Sequence, residues 1–439
     1  MPPERTGKAM LTMGDELSRA ERGRSRVLYV DTAPTAGGSV VSLFELLKGL
    51  DRSLYEPVVL AYTPHPYVER FRSLGVDVIV WNAYGAEDHR PGWIREARAS
   101  ALAQGLKTHS WGSSIYHGLG FALLLLRRMW PRARALKQII RQKGIDLVHT
   151  NIRVGHDREG IIAARMAGIP CVCHIRDFEQ LNWFDRKLAG SVAAFIYISR
   201  AVQRLHLEAG VPCERGYIVY NAVDTAAFAQ IGDARRVRLG FGLAEGELAV
   251  GLVGRLERWK GQDVFLQAMA LVKDSLPNVK AIIIGDPLPY DPHYGEELVA
   301  LRDKLGLTQK VVFSGFRQDV RDVMSALDLV VLASTSPEPF GRVLIEAMAA
   351  GKPVVATDSG AACEIIDGGV QGLLVPPGDA RALAEAIVHV LSHSEVAEHM
   401  GRCGQTRARE RFNLEQYVDG VQTVYRQVLR RHRLQPSDG

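Results

Sequence analysis

Short apolar runs of strand length alternate along this chain with stretches whose apolar positions recur every three or four residues. The first pattern fits a buried strand and the second fits one face of a helix. The strand-like runs are RVLYVD from Arg26, PVVLAY from Pro57, VDVIVW from Val76, IDLVHT from Ile145, PCVCHI from Pro170 and AFIYIS from Ala194, with helical patterns between most of them. A polar, irregular stretch from Asn221 to Glu247 reads as a linker. The alternation then restarts with LAVGLVG, AIIIGD, KVVFSG, DLVVLAS and KPVVATD. Strands alternating with helices predict βαβ units and parallel sheets. The expectation is an α/β chain of two Rossmann-like domains, 26–222 and 223–412.

From about Ala380 only helical periodicity remains. A last helix within 413–439 carries Tyr417, Val418, Val421, Val424, Tyr425 and Val428 on one face. Such a face must be covered, and the N-terminal domain is the surface expected to cover it. Residues 1–25 are polar, with many Arg and Glu and no apolar core of the kind a secretory signal needs, so they read as a disordered leader. Between the third and fourth strands lies an excursion, about 83–143. Its part from Arg90 to Lys143 holds eleven lysines and arginines against a single acid, Glu96, and includes Trp93, Trp111 and Trp130.

Composition narrows the picture. A chain of 439 residues exceeds one ordinary core, and 47% hydrophobic with 23% charged residues excludes a disordered or fibrous protein. No run approaches the roughly 20 apolar residues that span a bilayer; Gly118 to Leu126 stops at Arg127 and Arg128. The five cysteines show neither C-x-x-C nor zinc-ligand spacing and read as buried free thiols in a reducing cytoplasm. The first strand is followed by TAPTAGGS rather than G-x-G-x-x-G, which argues against a dinucleotide-binding protein.

The stretch most informative about chemistry is SPEPFGRVLIEAMAAGKPVVATDSG, Ser336 to Gly360. DLVVLAS reads as a strand, Pro337 and Pro339 break the chain, and Gly341 opens a helix. Glu338 then lies on a loop at the carboxyl end of a strand, where open α/β sheets bind ligands. Glu346 lies on the helix about a turn further in. The amides near Gly341, Arg342 and Val343, with the positive end of the helix dipole, make a seat for a phosphate group. Carboxylates on either side of an anion site suit a diphosphate with hydroxylated groups at both ends, since carboxylates accept hydrogen bonds from hydroxyls. The plainer reading makes Glu338 a helix cap and Glu346 a surface residue.

E-x(7)-E followed by AMAAGKPVVA resembles the retaining glycosyltransferases of family four. The resemblance implies the GT-B fold, two facing Rossmann-like domains with a cleft between them, in which the first Glu contacts the donor sugar and the second holds the ribose hydroxyls. GLVGRLERWKGQD, Gly251 to Asp263, is similar to the family's strand-loop-helix with an Arg and a Lys five apart, here Arg255 and Lys260. Fixed cations there would neutralise charge on a departing diphosphate. VVFSGFRQDV from Val311 resembles the strand end near the nucleobase. Phe316 and Arg317 are either base contacts or a core Phe and a surface Arg. VYNAVDTAAF from Val219 resembles the hinge motif N-G-V-D, with Ala222 where the family commonly has Gly. Gly37 and Gly38 resemble the family's glycine-rich loop, where small residues admit donor phosphate or acceptor. PCVCHIRDF places His174, Arg176 and Asp177 at a sheet edge. There the resemblance implies that His174 faces the sugar and that Arg176 and Asp177 are on the acceptor side; the plainer reading is a structural polar cluster.

The resemblance implies retention at the anomeric carbon and no cofactor beyond the nucleotide sugar. No Asp-x-Asp occurs anywhere, so no metal is expected. Family frequency favours a UDP-sugar donor and a saccharide or lipid-linked saccharide acceptor in surface polysaccharide synthesis. The basic, tryptophan-bearing segment is read either as contacting an anionic membrane surface or as a solvated helical lid, ahead of nucleic acid or a protein partner; the first reading places the protein in the cytoplasm, peripheral on the cytoplasmic face of the membrane. A non-catalytic nucleotide-sugar-binding protein, and an epimerase or phosphorylase on the same fold, are the rival readings.

Overall fold

The computed structural model describes residues 23–33, 37–81, 125–230, 232–288 and 291–434. The chain divides into two compact units, one of residues 1–197, 205–217 and 420–439 and the other of residues 198–204 and 218–419.

The first unit is built on a sheet of β1 (Ser25–Asp31), β2 (Tyr55–Ala61), β3 (Asp77–Val80), β4 (Leu147–Thr150), β5 (Cys171–Ile175), β6 (Ala194–Tyr197) and β7 (Gly216–Ile218) in the order β3-β2-β1-β4-β5-β6-β7. The ladders between β1 and β2, β1 and β4, β2 and β3, β4 and β5, and β5 and β6 are parallel. Parallel strands flanked by helices are buried on both faces. That explains the unbroken apolar runs: Val27 to Val30 and Val59 to Ala61 are fully buried. The helices used below are α1 (Gly38–Gly49), α2 (Trp130–Gln142), α3 (Arg158–Ala167) and α4 (Trp183–Ala189).

In the second unit β8 (Leu248–Val253), β9 (Val279–Ile284), β10 (Val311–Gly315), β11 (Leu329–Leu332), β12 (Val354–Thr357) and β13 (Gly372–Val375) form a parallel sheet ordered β10-β9-β8-β11-β12-β13. One core cluster runs through Val250, Phe265, Ile283, Val331 and Ile387. Helix α5 (Gln262–Ser275) follows β8, and α6 (Arg342–Ala349) follows β11.

Every run read as a strand is one. Among the described residues two strands escaped that reading: β7, GYI, and β13, GLLV, each opening on a glycine and too short to show a period. The supposed linker 221–247 is not irregular throughout, because helices form over Thr225–Ala229 and Ala234–Gly240, each begun by an aspartate, Asp224 or Asp233, whose side chain accepts from the backbone three residues on. The cysteines are all free as expected. Only Cys171 and Cys173 are buried; Cys213 and Cys363 are exposed and Cys403 is intermediate, a correction to the buried-thiol reading.

The last helix, α7 (Leu414–Leu434), buries the face its periodicity marked: Tyr417, Val418, Val421, Val424, Tyr425 and Val428. From Gly420 on it belongs to the first unit, where the Tyr425 hydroxyl lies 2.6 Å from His149 Nδ1 and donates at 3.3 Å to the Tyr29 hydroxyl. Burial, then the charge of Arg176, holds the His149 imidazole well below its usual value, so it meets this hydroxyl as a neutral ring. The leader to Arg22 and most of the basic excursion, including Trp93 and Trp111, lie outside the described residues; of that excursion the structure describes 125–143.

Candidate active site

In the second unit the strand order reverses between β8 and β11, and ligands of open parallel sheets sit beyond the carboxyl ends of strands at such a reversal. Arg255 and Lys260 follow β8, while Ser334 and Glu338 follow β11. These neighbours in space are far apart in sequence. Lys260 Nζ donates to both oxygens of Glu338, at 2.8 and 3.1 Å, and Ser334 Oγ donates to Glu338 Oε2 at 2.9 Å. Glu338 and Ser334 are buried, so this is a desolvated and directed ion pair rather than a solvated surface contact. Lys260 Nζ also lies 4.0 Å from the centre of the Trp259 ring.

Backbone contacts fix the pair. Trp259 O accepts from Thr335 N at 2.8 Å, and Glu338 O accepts from Ala361 N at 2.8 Å. Gly261, φ 70°, turns the chain from Lys260 into α5, and Gly360, φ 65°, lets the segment after β12 lie against the backbone of Glu338. A Cβ at either position would fall inside a neighbouring backbone atom, Ala333 O for Gly261 and Glu338 O for Gly360.

Gly341 (φ 89°) caps the start of α6 in the left-handed region, and a Cβ there would touch the Glu338 side chain. One turn in, Arg342 Nη2 donates to Glu346 Oε1 at 3.2 Å while its Nη1 donates to Ala222 O at 3.0 Å. Gly341 thus lies beside the Glu338 side chain at the helix start, Val343 is in the first turn, and Glu346 follows one turn on.

Other predicted residues stand apart. Arg255 is half-exposed and reaches Glu257 at 3.4 Å rather than the Lys260–Glu338 pair. Arg317 is taken up by Asp319, at 2.6 and 2.8 Å, and lies over the ring of Phe241. Phe316 is 64% exposed and so is not a core residue, which removes one of its two readings.

The first unit reverses its strand order between β1 and β4. Gly37 caps α1, and Gly38, expected in the loop, is the first helical residue. His174 is fully buried on β5, its ring 5.3 Å from that of His149, with Arg176 Nη2 3.2 Å from its Nδ1. Burial and then Arg176 hold its imidazole well below the usual value. Arg176 is buried and donates to Asn151 Oδ1 at 2.9 Å, whereas Asp177 is exposed.

Sequence reading missed a cluster at this same edge. Thr32 Oγ1 donates to Asp157 Oδ1 at 2.6 Å and lies 3.3 Å from His156 Nδ1, and the amides of Ile152 and Arg153 donate to Asp157 Oδ2. The available signal was position, since these residues follow β1 and β4 at the reversal. Burial pushes the Asp157 carboxyl up to about 7 despite those donors. A carboxyl whose folded value is raised contributes stability below its ordinary value near 3.8 and loses it as pH rises through about 7. Urea unfolding should therefore show a fall in stability across that window, and Asp157→Asn should flatten it; an unchanged slope in the variant would refute the assignment.

Two parallel-sheet units, the second carrying an acid–base pair and a helix start at its strand reversal, place the protein in the α/β class of the GT-B glycosyltransferases. Two family models match, "Glycosyltransferase Family 4" over residues 36–227 and "Glycosyl transferases group 1" over residues 235–407. The chain belongs to this family of glycosyltransferases. It is 30% identical over 215 residues to the lipopolysaccharide core biosynthesis mannosyltransferase LpsB of Rhizobium meliloti, 48% of this chain and 61% of that one. It is 34% identical over 216 residues to the D-inositol 3-phosphate glycosyltransferase of Mycobacterium marinum, 48% of this chain and 45% of that one. The chain thus spans less than two thirds of the length of either relative. The structure of Anabaena Alr3699/HepE in complex with UDP and glucose matches 92% of this chain and 100% of its own, with 27% identity and a TM-score of 0.74.

Proposed function

We propose that this protein transfers a sugar from a UDP-sugar to a saccharide or lipid-linked saccharide, with retention at the anomeric carbon and without a metal. The observation that carries the reading is the Lys260–Glu338 pair beside the start of α6 at the strand reversal. UDP and glucose bound to the similar Anabaena protein support the donor, and the lipopolysaccharide relative supports the acceptor class.

The bond between the anomeric carbon and the diphosphate oxygen breaks, that oxygen keeps the electron pair, and the acceptor oxygen bonds to the same face of the carbon. The acceptor proton passes to the departing diphosphate. Lys260, Arg255 and the amides at Gly341, Arg342 and Val343 offset the charge that grows there, while Glu338 orients the sugar and Glu346 the ribose. In the first unit Gly37 and Gly38 admit the donor phosphate or acceptor and the exposed Asp177 meets the acceptor, while His174, fully buried against His149 and Arg176, does not reach the sugar itself. Phe316, exposed after β10, stacks on the nucleobase.

No helix among the described residues is long and apolar enough to cross a membrane. The basic segment brings the protein to the cytoplasmic face of an anionic membrane, where a lipid-linked acceptor is presented.

Radiolabel from a panel of UDP-sugars should enter membrane lipid extracts, persist in EDTA, and give a product with the donor's anomeric configuration by NMR. An inverted product or loss of transfer in EDTA overturns the mechanism. UDP-sugar binding without transfer to any extract would make the protein a non-catalytic binder.

A further inference from the structure

In the first unit, α2, α3 and α4 enclose a groove of about 710 Å³ lined mainly by apolar side chains, among them Trp130, Ile162, Met166, Trp183 and Leu188. We infer that this groove, ringed by cations, is where the protein seats itself on a bilayer containing anionic lipid, an assignment that rests on the membrane reading above and gives it a place. The sequence had marked the basic excursion alone; Trp183, Arg165 and Lys187 lie outside it.

The groove is built to present its tryptophans. Asn182 caps α4, its side chain accepting from the amides of Phe184 and Asp185, and Arg158 on α3 donates to both oxygens of Asp185 at 2.7 and 2.8 Å. These contacts fix α4 against α3 with Trp183 at its first position, 70% exposed; Trp130, at the start of α2, is 42% exposed. Exposure of large indoles beside an apolar slot is costly in water, whereas at the headgroup level the ring and its N–H are both satisfied.

Cations outnumber acids around the slot. The stretch 125–143 holds seven lysines and arginines and no acid. The acids of α3 and α4 are engaged by arginine: Glu159 by Arg132 at 3.7 Å and Asp185 by Arg158. Among the described residues no ion pair includes Arg165 or Lys187, which line the groove, or Arg134, which lies 5.5 Å from the centre of the Trp130 ring. An acidic soluble partner would use the cations and leave the slot idle. A phospholipid uses both, with phosphate on the cations and chain carbon in the slot.

The test is co-sedimentation of the full chain with vesicles of phosphatidylglycerol and phosphatidylcholine, against phosphatidylcholine alone. The chain should bind the first and not the second. Trp183→Ala combined with Lys187→Glu should weaken that binding by about tenfold or more, with thermal unfolding and UDP affinity unchanged. If the parent binds and the double variant binds equally, the groove is not the seat although the membrane reading stands, and the same holds if binding is lost only on deleting residues 83–124. If the parent binds neither vesicle, the membrane reading itself fails. A self-association in sedimentation velocity that the double variant dissolves would make the groove an interface between copies and overturn the proposal.

Discussion

Replacing Lys260 by Ala should lower kcat by about 10²–10³-fold while the donor KM moves by no more than roughly threefold, because a cation aimed at growing charge acts mainly in the transition state. Lys260 Nζ is held on both oxygens of Glu338, so the variant also strips a buried carboxylate of its cationic partner. That second effect could by itself slow the enzyme through a displaced loop. A double-mutant cycle separates the two. If Lys260 only compensates Glu338, then Lys260→Ala with Glu338→Gln should turn over no more slowly than Glu338→Gln alone, since the uncharged amide no longer needs a cation. If Lys260 acts on the diphosphate, the double variant should fall a further 10²-fold or so below Glu338→Gln. Equal losses in kcat and donor affinity in the single variant would instead make Lys260 a ground-state binding residue.

How far such a site can be read without coordinates depends on whether its signal is local. The strands were legible because parallel strands buried on both faces must be apolar throughout, and Val27 to Val30 or Val354 to Ala356 have no solvated side to break the run. β13 was not legible, because in a stretch as short as GLLV a period does not declare itself, and its Gly372 is there to let the backbone approach Val354. Glu338 and Glu346 stood out through a motif contained in one loop and one helix. Lys260 was linked to them only by resemblance, because its partner lies 78 residues away and nothing in the local pattern encodes that distance. Ser334 gave no signal at all. A serine after a strand is ordinary, and its role appears only when the loop folds Glu338 back onto it. His156 and Asp157 were hidden for the same reason, with Thr32 reaching them across 124 and 125 residues.

Gly261→Ala should be among the most damaging single substitutions in the second unit, in stability and in activity alike. Gly261 sits between Lys260 and the first residue of α5 at φ 70°, a conformation that costs alanine about 1 kcal/mol or more. The larger cost is steric, since the new methyl would overlap Ala333 O, a backbone atom that cannot rotate away. Overpacking of this kind adds about 1–3 kcal/mol, so a total near 3 kcal/mol should lower the unfolding midpoint by roughly 10 °C. Gly378 provides the control: its φ is 76°, yet nothing lies within 4 Å of the position a Cβ would take, so Gly378→Ala should cost only the backbone part. The difference between the two variants isolates the close approach. Its functional weight follows from chain order, because Ala333 precedes Ser334, and Gly261 follows Lys260. Relief of the overlap must move one end of the Lys260–Glu338–Ser334 cluster against the other, and a shift of about 1 Å there should cost kcat on the order of 10²-fold. If Gly261→Ala melts no lower than Gly378→Ala and keeps its kcat, the tight seam between the β8 and β11 loops does not set the geometry of the pair.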